Sequence, residues 1–81
     1  MNPIFKVGEI YQYPYGGILY KVLEIHEDYM RVKKHEPSRN RYVWFYTDVQ
    51  KGSPADELCT PATRRQRDLF GLLLKAEIVI V

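Results

Sequence analysis

The sequence predicts a mostly β, α+β fold: a small antiparallel barrel or meander, then a C-terminal helix and a closing strand. Three observations carry this. Apolar residues recur with period two through the first half of the chain, the signature of half-buried strands. From about residue 61 to 74 the period lengthens to that of a helix. The chain then ends on the apolar, β-branched run AEIVIV. With 81 residues there is material for one core, so residues 1–81 form a single domain.

The elements follow in order. Strand-like alternation covers about residues 4–11, where Ile4, Lys6, Gly8 and Ile10 interleave with Phe5, Val7, Glu9 and Tyr11. The stretch Tyr13-Pro14-Tyr15-Gly16-Gly17 is a turn, because proline fixes φ and the glycine pair allows it to be positive. A second strand spans about 18–26 and a third about 29–35, joined by the polar pair Glu27-Asp28. A two-residue turn there sets Glu24 opposite Arg31, a favourable cross-strand pair. Residues 36–40 form a loop, and the β-branched and aromatic run RYVWFYT makes a fourth strand over about 41–47.

After Asp48 the pattern changes. Ser53-Pro54-Ala55-Asp56 offers an N-cap serine, a proline at the first helical position and an acid in the first turn. One helical turn is expected over about 54–59. Thr60-Pro61 repeats the signal and opens the longer helix, with Ala62, Gln66, Leu69, Phe70 and Leu73 on one face and Arg64, Arg65, Arg67 and Asp68 mainly on the other. Gly71 weakens its last turns. The apolar tail makes a fifth strand over about 77–81, which must pair within the sheet or with another chain, a second copy or a partner protein.

The segments FKVGEIY (5–11) and GILYKVLEI (17–25) are similar to the opening of SH3-like barrels, the broad group that includes KOW and Tudor-like modules. In that group a V-G-x-x-Y strand, a loop and a G-x-x-Y-x-V-x-x-I strand follow one another. The resemblance covers about residues 4–48 and implies a small barrel, here elaborated by the later helix. It also implies a binding role, since SH3-like folds use aromatic rows flanked by loops to hold peptides, modified side chains or bases.

The residues themselves argue against catalysis. His26 and His35 sit at strand ends among charged residues and read as solvent-facing; no zinc-ligand spacing accompanies them. Cys59, the single cysteine, lies between two proline-initiated turns and reads as a small buried residue. One cysteine forms no internal disulfide, so the default setting is a reducing, cytoplasmic one. The first residues lack the apolar core of a signal peptide, and no run approaches the roughly 18 apolar residues of a membrane span. No catalytic residue, metal ligand or cofactor is expected.

Two sets of residues suit binding instead. Seven tyrosines and one tryptophan exceed what so small a core can hide. Tyr42, Trp44 and Tyr46 share one face of their strand, and Tyr11, Tyr13 and Tyr15 recur near the first loop. Tyr13, Tyr15, Tyr42, Trp44 and Tyr46 are therefore the candidate protein-binding residues, unless the helix packs on Trp44 through Leu69, Phe70 and Leu73. The second set is basic. The net charge of +2 hides two cationic segments: five cations against one acid from Arg31 to Arg41, and four against one from Arg64 to Lys75. Arg31, Lys33, Lys34, Arg39, Arg41, Arg64, Arg65 and Arg67 are the candidates for phosphate contact with DNA or RNA. Solvated strand and helix faces would read the same way. The expected function is a non-enzymatic binding module, a protein-interaction adaptor, accessory protein or inhibitor working through an aromatic surface and a sheet edge. A nucleic-acid-binding module is the alternative.

Overall fold

The computed structural model describes residues 4–38 and 41–75, and their side chains except at positions 38, 41–44 and 73–75. It is a five-stranded antiparallel sheet that does not close, with two helices. Strand β1 (Ile10–Gln12), β2 (Leu19–Ile25), β3 (Tyr29–Ser38) and β4 (Arg41–Gln50) form a meander. Helix α1 (Pro54–Leu58) then returns the chain to the far edge, where β5 (Thr60–Pro61) pairs with β1. Helix α2 (Arg64–Lys75) follows, and the strand order is β4-β3-β2-β1-β5. The strand expected over 77–81 lies outside the described residues.

The β2–β3 hairpin turns on Glu27 and Asp28, with His26 N–H bonded to the Tyr29 carbonyl at 2.8 Å. Glu24 stands opposite Arg31, as the polar break predicts. Between Val22 and Glu24 the register slips by one, leaving Leu23 as a bulge. Because side chains alternate along a strand, this bulge moves the inward positions of β2 from even to odd numbers.

Five boundaries depart from the sequence reading. The first strand covers Ile10–Gln12 and not 4–11, because Gly8, at φ +88°, lies in a turn closed by Glu9 N–H donating to the Lys6 carbonyl at 3.2 Å, although Gly8 and Glu9 still bond Val22 of β2. Residues 4–9 form a loop tied down by the Tyr11 hydroxyl, which accepts from Lys6 N–H at 2.8 Å and donates to the Ile4 carbonyl at 2.7 Å. Phe5 packs edge-on against the same ring at 4.7 Å. Strands β3 and β4 each run three residues further than expected, pairing without interruption from Tyr29↔Gln50 to Ser38↔Arg41. Thr60-Pro61 is a strand and not a helix start. The helix begins at Arg64, capped by Thr63 and Gln66 in a reciprocal capping box: Thr63 N–H donates to Gln66 Oε1 at 2.8 Å and Gln66 N–H to Thr63 Oγ1 at 3.2 Å. Gly71 does not end it, because packing of Phe70 outweighs glycine's weak propensity.

Both faces of the sheet are used. The core face carries Tyr11, Tyr20, Val22, Met30, Val32 and Val49, and is closed over by Phe5 and Cys59. On the opposite face Leu19, Ile10 and Phe70 form a second, smaller cluster beneath α2. Gln66 Nε2 donates to Gln12 Oε1 at 2.7 Å and fixes the helix to β1. On α2, Leu69 is 37 % exposed, contrary to its expected place in the packed stripe, whereas Phe70 is 1 % exposed. Among the described residues no helix is long and apolar enough to cross a membrane.

Candidate binding cleft

The β1–β2 connection builds one wall of a cleft. Tyr13 N–H donates to the Ile18 carbonyl at 3.0 Å, closing the loop, and Gly16 and Gly17 adopt φ +74° and +66°. A Cβ on Gly17 would stand 3.3 Å from the Pro37 side chain, so this loop lies close against β3. The turn holds Tyr13 and Tyr15 edge-to-face at 5.8 Å. The opposite wall is the start of α1. Ser53 caps it, its hydroxyl accepting from Asp56 N–H at 3.4 Å, and the Asp56 carboxylate accepts from Gly52 N–H at 2.8 Å. Proline at the first helical position then presents Pro54 and Ala55 towards the sheet.

Between these walls lies an open cleft of about 390 Å³, lined by Tyr13, Ile18, Tyr20, Lys34, Pro54 and Ala55 together with residues 47–50 and Ser53. Its floor is polarised. The Lys34 ammonium lies 5.9 Å from the Tyr20 ring centroid and 5.3 Å from that of Phe45, and 3.5 Å from the Glu36 carboxylate. Cation–π attraction and the ion pair hold this lysine in place. Burial, followed by the negative ends of Cys59, Tyr13 and Glu36, pushes the Tyr20 hydroxyl up to about 12. At neutral pH Tyr20 is therefore a neutral aromatic donor.

The structure separates the candidate aromatics. Tyr13 lines the cleft on the core face, whereas Tyr15 is exposed and does not line it, touching Tyr13 edge-on. Tyr46, 68 % exposed, projects from the other face beside Lys33, whose ammonium is 5.6 Å from its ring centroid. Tyr42 and Trp44 stand opposite Pro37 and His35 in the ladder, and their side chains lie outside the described residues. Tyr20, Pro54 and Ala55 were missed as cleft residues. The alternation in β2 places Tyr20 inward, but nothing local shows that α1 folds back beside it.

The basic candidates are divided too. Arg31 Nε and Nη1 reach Asp48 at 3.3 Å and Glu24 at 3.5 Å, and this pairing, first the hydrogen bond to Asp48, raises its pKa further. Lys33 and Lys34 point to opposite faces by register. Arg64, Arg65 and Arg67 are exposed on α2, and Arg39 and the Arg41 side chain lie outside the described residues.

The histidines divide as well. His26 is exposed, stacked on Tyr29 at 4.6 Å and 3.5 Å from Glu24. His35 is not solvent-facing as its sequence position suggests. It is fully buried, with its ring edge-on to Phe70 at 6.3 Å, because β3 continues past it to Ser38 and α2 covers that face. Burial lowers its pKa to about 4. Cys59 is buried as expected, and burial, with Asp56 nearby, pushes its thiol up to about 11. At neutral pH it carries no thiolate, the form a nucleophile needs. Among the described residues no group of three or more His, Cys, Asp or Glu could hold a metal. Compared with known proteins, the chain matches no family model, no curated sequence and no solved structure.

Proposed function

We propose that this chain is a small non-enzymatic protein-interaction module of SH3-like type, whose cleft takes an extended, proline-containing peptide segment of another protein. The observation that carries this reading is the convergence of Tyr13, Tyr20 and Pro54 around one open cleft. A polyproline II segment has three residues per turn and no internal hydrogen bonds, so it presents apolar ridges at low entropic cost. Aromatic-lined grooves capture such ridges, with tyrosine edges between them and hydroxyls or a nearby cation binding the free carbonyls. Here Tyr13 and Pro54 supply the walls, and Tyr20 and Lys34 the polar floor.

The strand order, with one helical turn returning the chain from β4 to a β5 beside β1, supports the SH3-like resemblance. So does the Leu23 bulge, which allows β2 to bend between its two halves. The lone reduced cysteine suits a cytoplasmic setting.

The test is selection from a random peptide library, followed by titration of the enriched sequences against the wild type and Tyr13→Ala. Proline-bearing sequences are expected. Loss of the Tyr13 ring should cost about 2 kcal/mol, roughly thirtyfold in affinity, as for an interface hot spot. Peptides that bind the folded Tyr13→Ala variant as tightly as the wild type would place the interaction elsewhere.

A further inference from the structure

The face of the sheet opposite the cleft carries two lysines and a tyrosine side by side. Across four strands the ladder aligns Ile10↔Lys21, Lys21↔Lys33 and Lys33↔Tyr46, so these four residues form one transverse row. Directly opposed side chains in an antiparallel pair have Cβ atoms about 5 Å apart, and like charges at that spacing repel. Both lysines are nonetheless half-buried and held at this spacing by the register. The row is bounded on one side by α2, which covers Leu19, and on the other by Arg31 with Glu24 and Asp48. At its β1 end Arg67, Lys6 and Glu9 line a shallow pocket with Ile10. At its β4 end stands Tyr46, 68 % exposed on the outermost strand of the described sheet.

Two lysines directly opposed in the ladder can each offer an ammonium to one of the two non-bridging oxygens of a phosphodiester. The exposed ring beyond them matches an unstacked base. Their order along the row, cation, cation, aromatic, follows the phosphate-to-base direction of a splayed nucleotide. We propose that Lys21, Lys33 and Tyr46 bind single-stranded nucleic acid, the two ammoniums holding a phosphate and the Tyr46 ring stacking on an adjacent base. Stacking demands an unpaired base, so a duplex is the poorer ligand. Lys33, already over one side of the ring, adds charge to that stack. This site is independent of the peptide cleft, and its failure leaves that reading intact.

The experiment is fluorescence anisotropy with a labelled oligothymidylate at 50 and 200 mM salt. One neutralised phosphate on a single strand gives a slope of about −0.7 in log affinity against log salt, so affinity should fall about 2.6-fold over that range. The double variant Lys21→Gln/Lys33→Gln should bind more weakly and flatten the salt dependence. Tyr46→Leu should lose about tenfold in affinity while keeping the slope, because only the stack is removed. Circular dichroism establishes that each variant is folded. Absence of binding at 50 mM salt, or a folded double variant that binds like the wild type, overturns the proposal. Equal affinity for inorganic polyphosphate, with Tyr46→Leu unchanged, also overturns it, since that result describes an unspecific polyanion surface.

Discussion

His35 shows how much one buried side chain decides. Its ordinary pKa of about 6.5 falls to about 4 because the imidazolium would have to be desolvated between the sheet and α2. Leu19 of β2 and Trp44 of β4 stand opposite it in the ladder, and Phe70 of α2 meets its ring edge-on. The unfolded chain therefore binds a proton that the folded chain refuses between pH 6.5 and 4. The stability so provided is complete above pH 6.5 and is lost on acidification. With the two pKa values as given, the loss between pH 7 and pH 5 is about 2 kcal/mol. Urea unfolding of the wild type and His35→Gln at those two pH values isolates this from carboxylate titration. An equal pH dependence in both proteins would contradict the buried, neutral state.

At the scale of elements, α2 is attached at few points. Phe70 enters the small cluster with Leu19 and Ile10, and Gln66 bonds Gln12. The other described face of the helix is solvated. Phe70→Ala should remove about 3 kcal/mol, at the lower end for an aromatic deletion because the cluster is small and can relax. Loss should appear as rapid amide exchange in α2, with protection kept in β2, β3 and β4, whose ladder does not depend on the helix. Uniform loss of protection would show that helix and sheet open as one unit.

The same elements show what a sequence discloses. The β2–β3 hairpin, the Glu24–Arg31 pair, the Ser53 cap and burial of Cys59 were legible, because each depends on residues near in sequence or on one strong local rule. The burial of His35 was not, because a sheet covered on both faces gives inward positions of either parity. Strand β5 was hidden by a Thr-Pro pair that equally well begins a helix, and the real cap, Thr63 with Gln66, lay three residues on. The cleft was partly legible: Tyr13 stood out by its spacing, whereas Tyr20, Lys34 and Pro54 join it only through the fold.

For the whole molecule, a single sheet separates the two proposed surfaces. The cleft opens on the core face, and the Lys21–Lys33–Tyr46 row lies on the other. No residue is shared and the two surfaces lie on opposite faces, so the coupling between them should be close to zero. Saturating the protein with a cleft peptide should leave oligothymidylate affinity unchanged within about twofold, and the reverse should hold. Mutual exclusion in that titration would mean that both ligands occupy one surface.

The bulge at Leu23 carries a consequence for the chain as written text. Up to Val22, β2 spells its interior in even numbers; from Glu24 onward the interior falls on odd ones, as Ile25 opposite Met30 shows. One surplus residue acts like a change of phase in a two-beat rhythm. The arginine that clasps Glu24 and Asp48 depends on that missed beat: kept in strict alternation, the strand would have turned Glu24 towards the apolar interior.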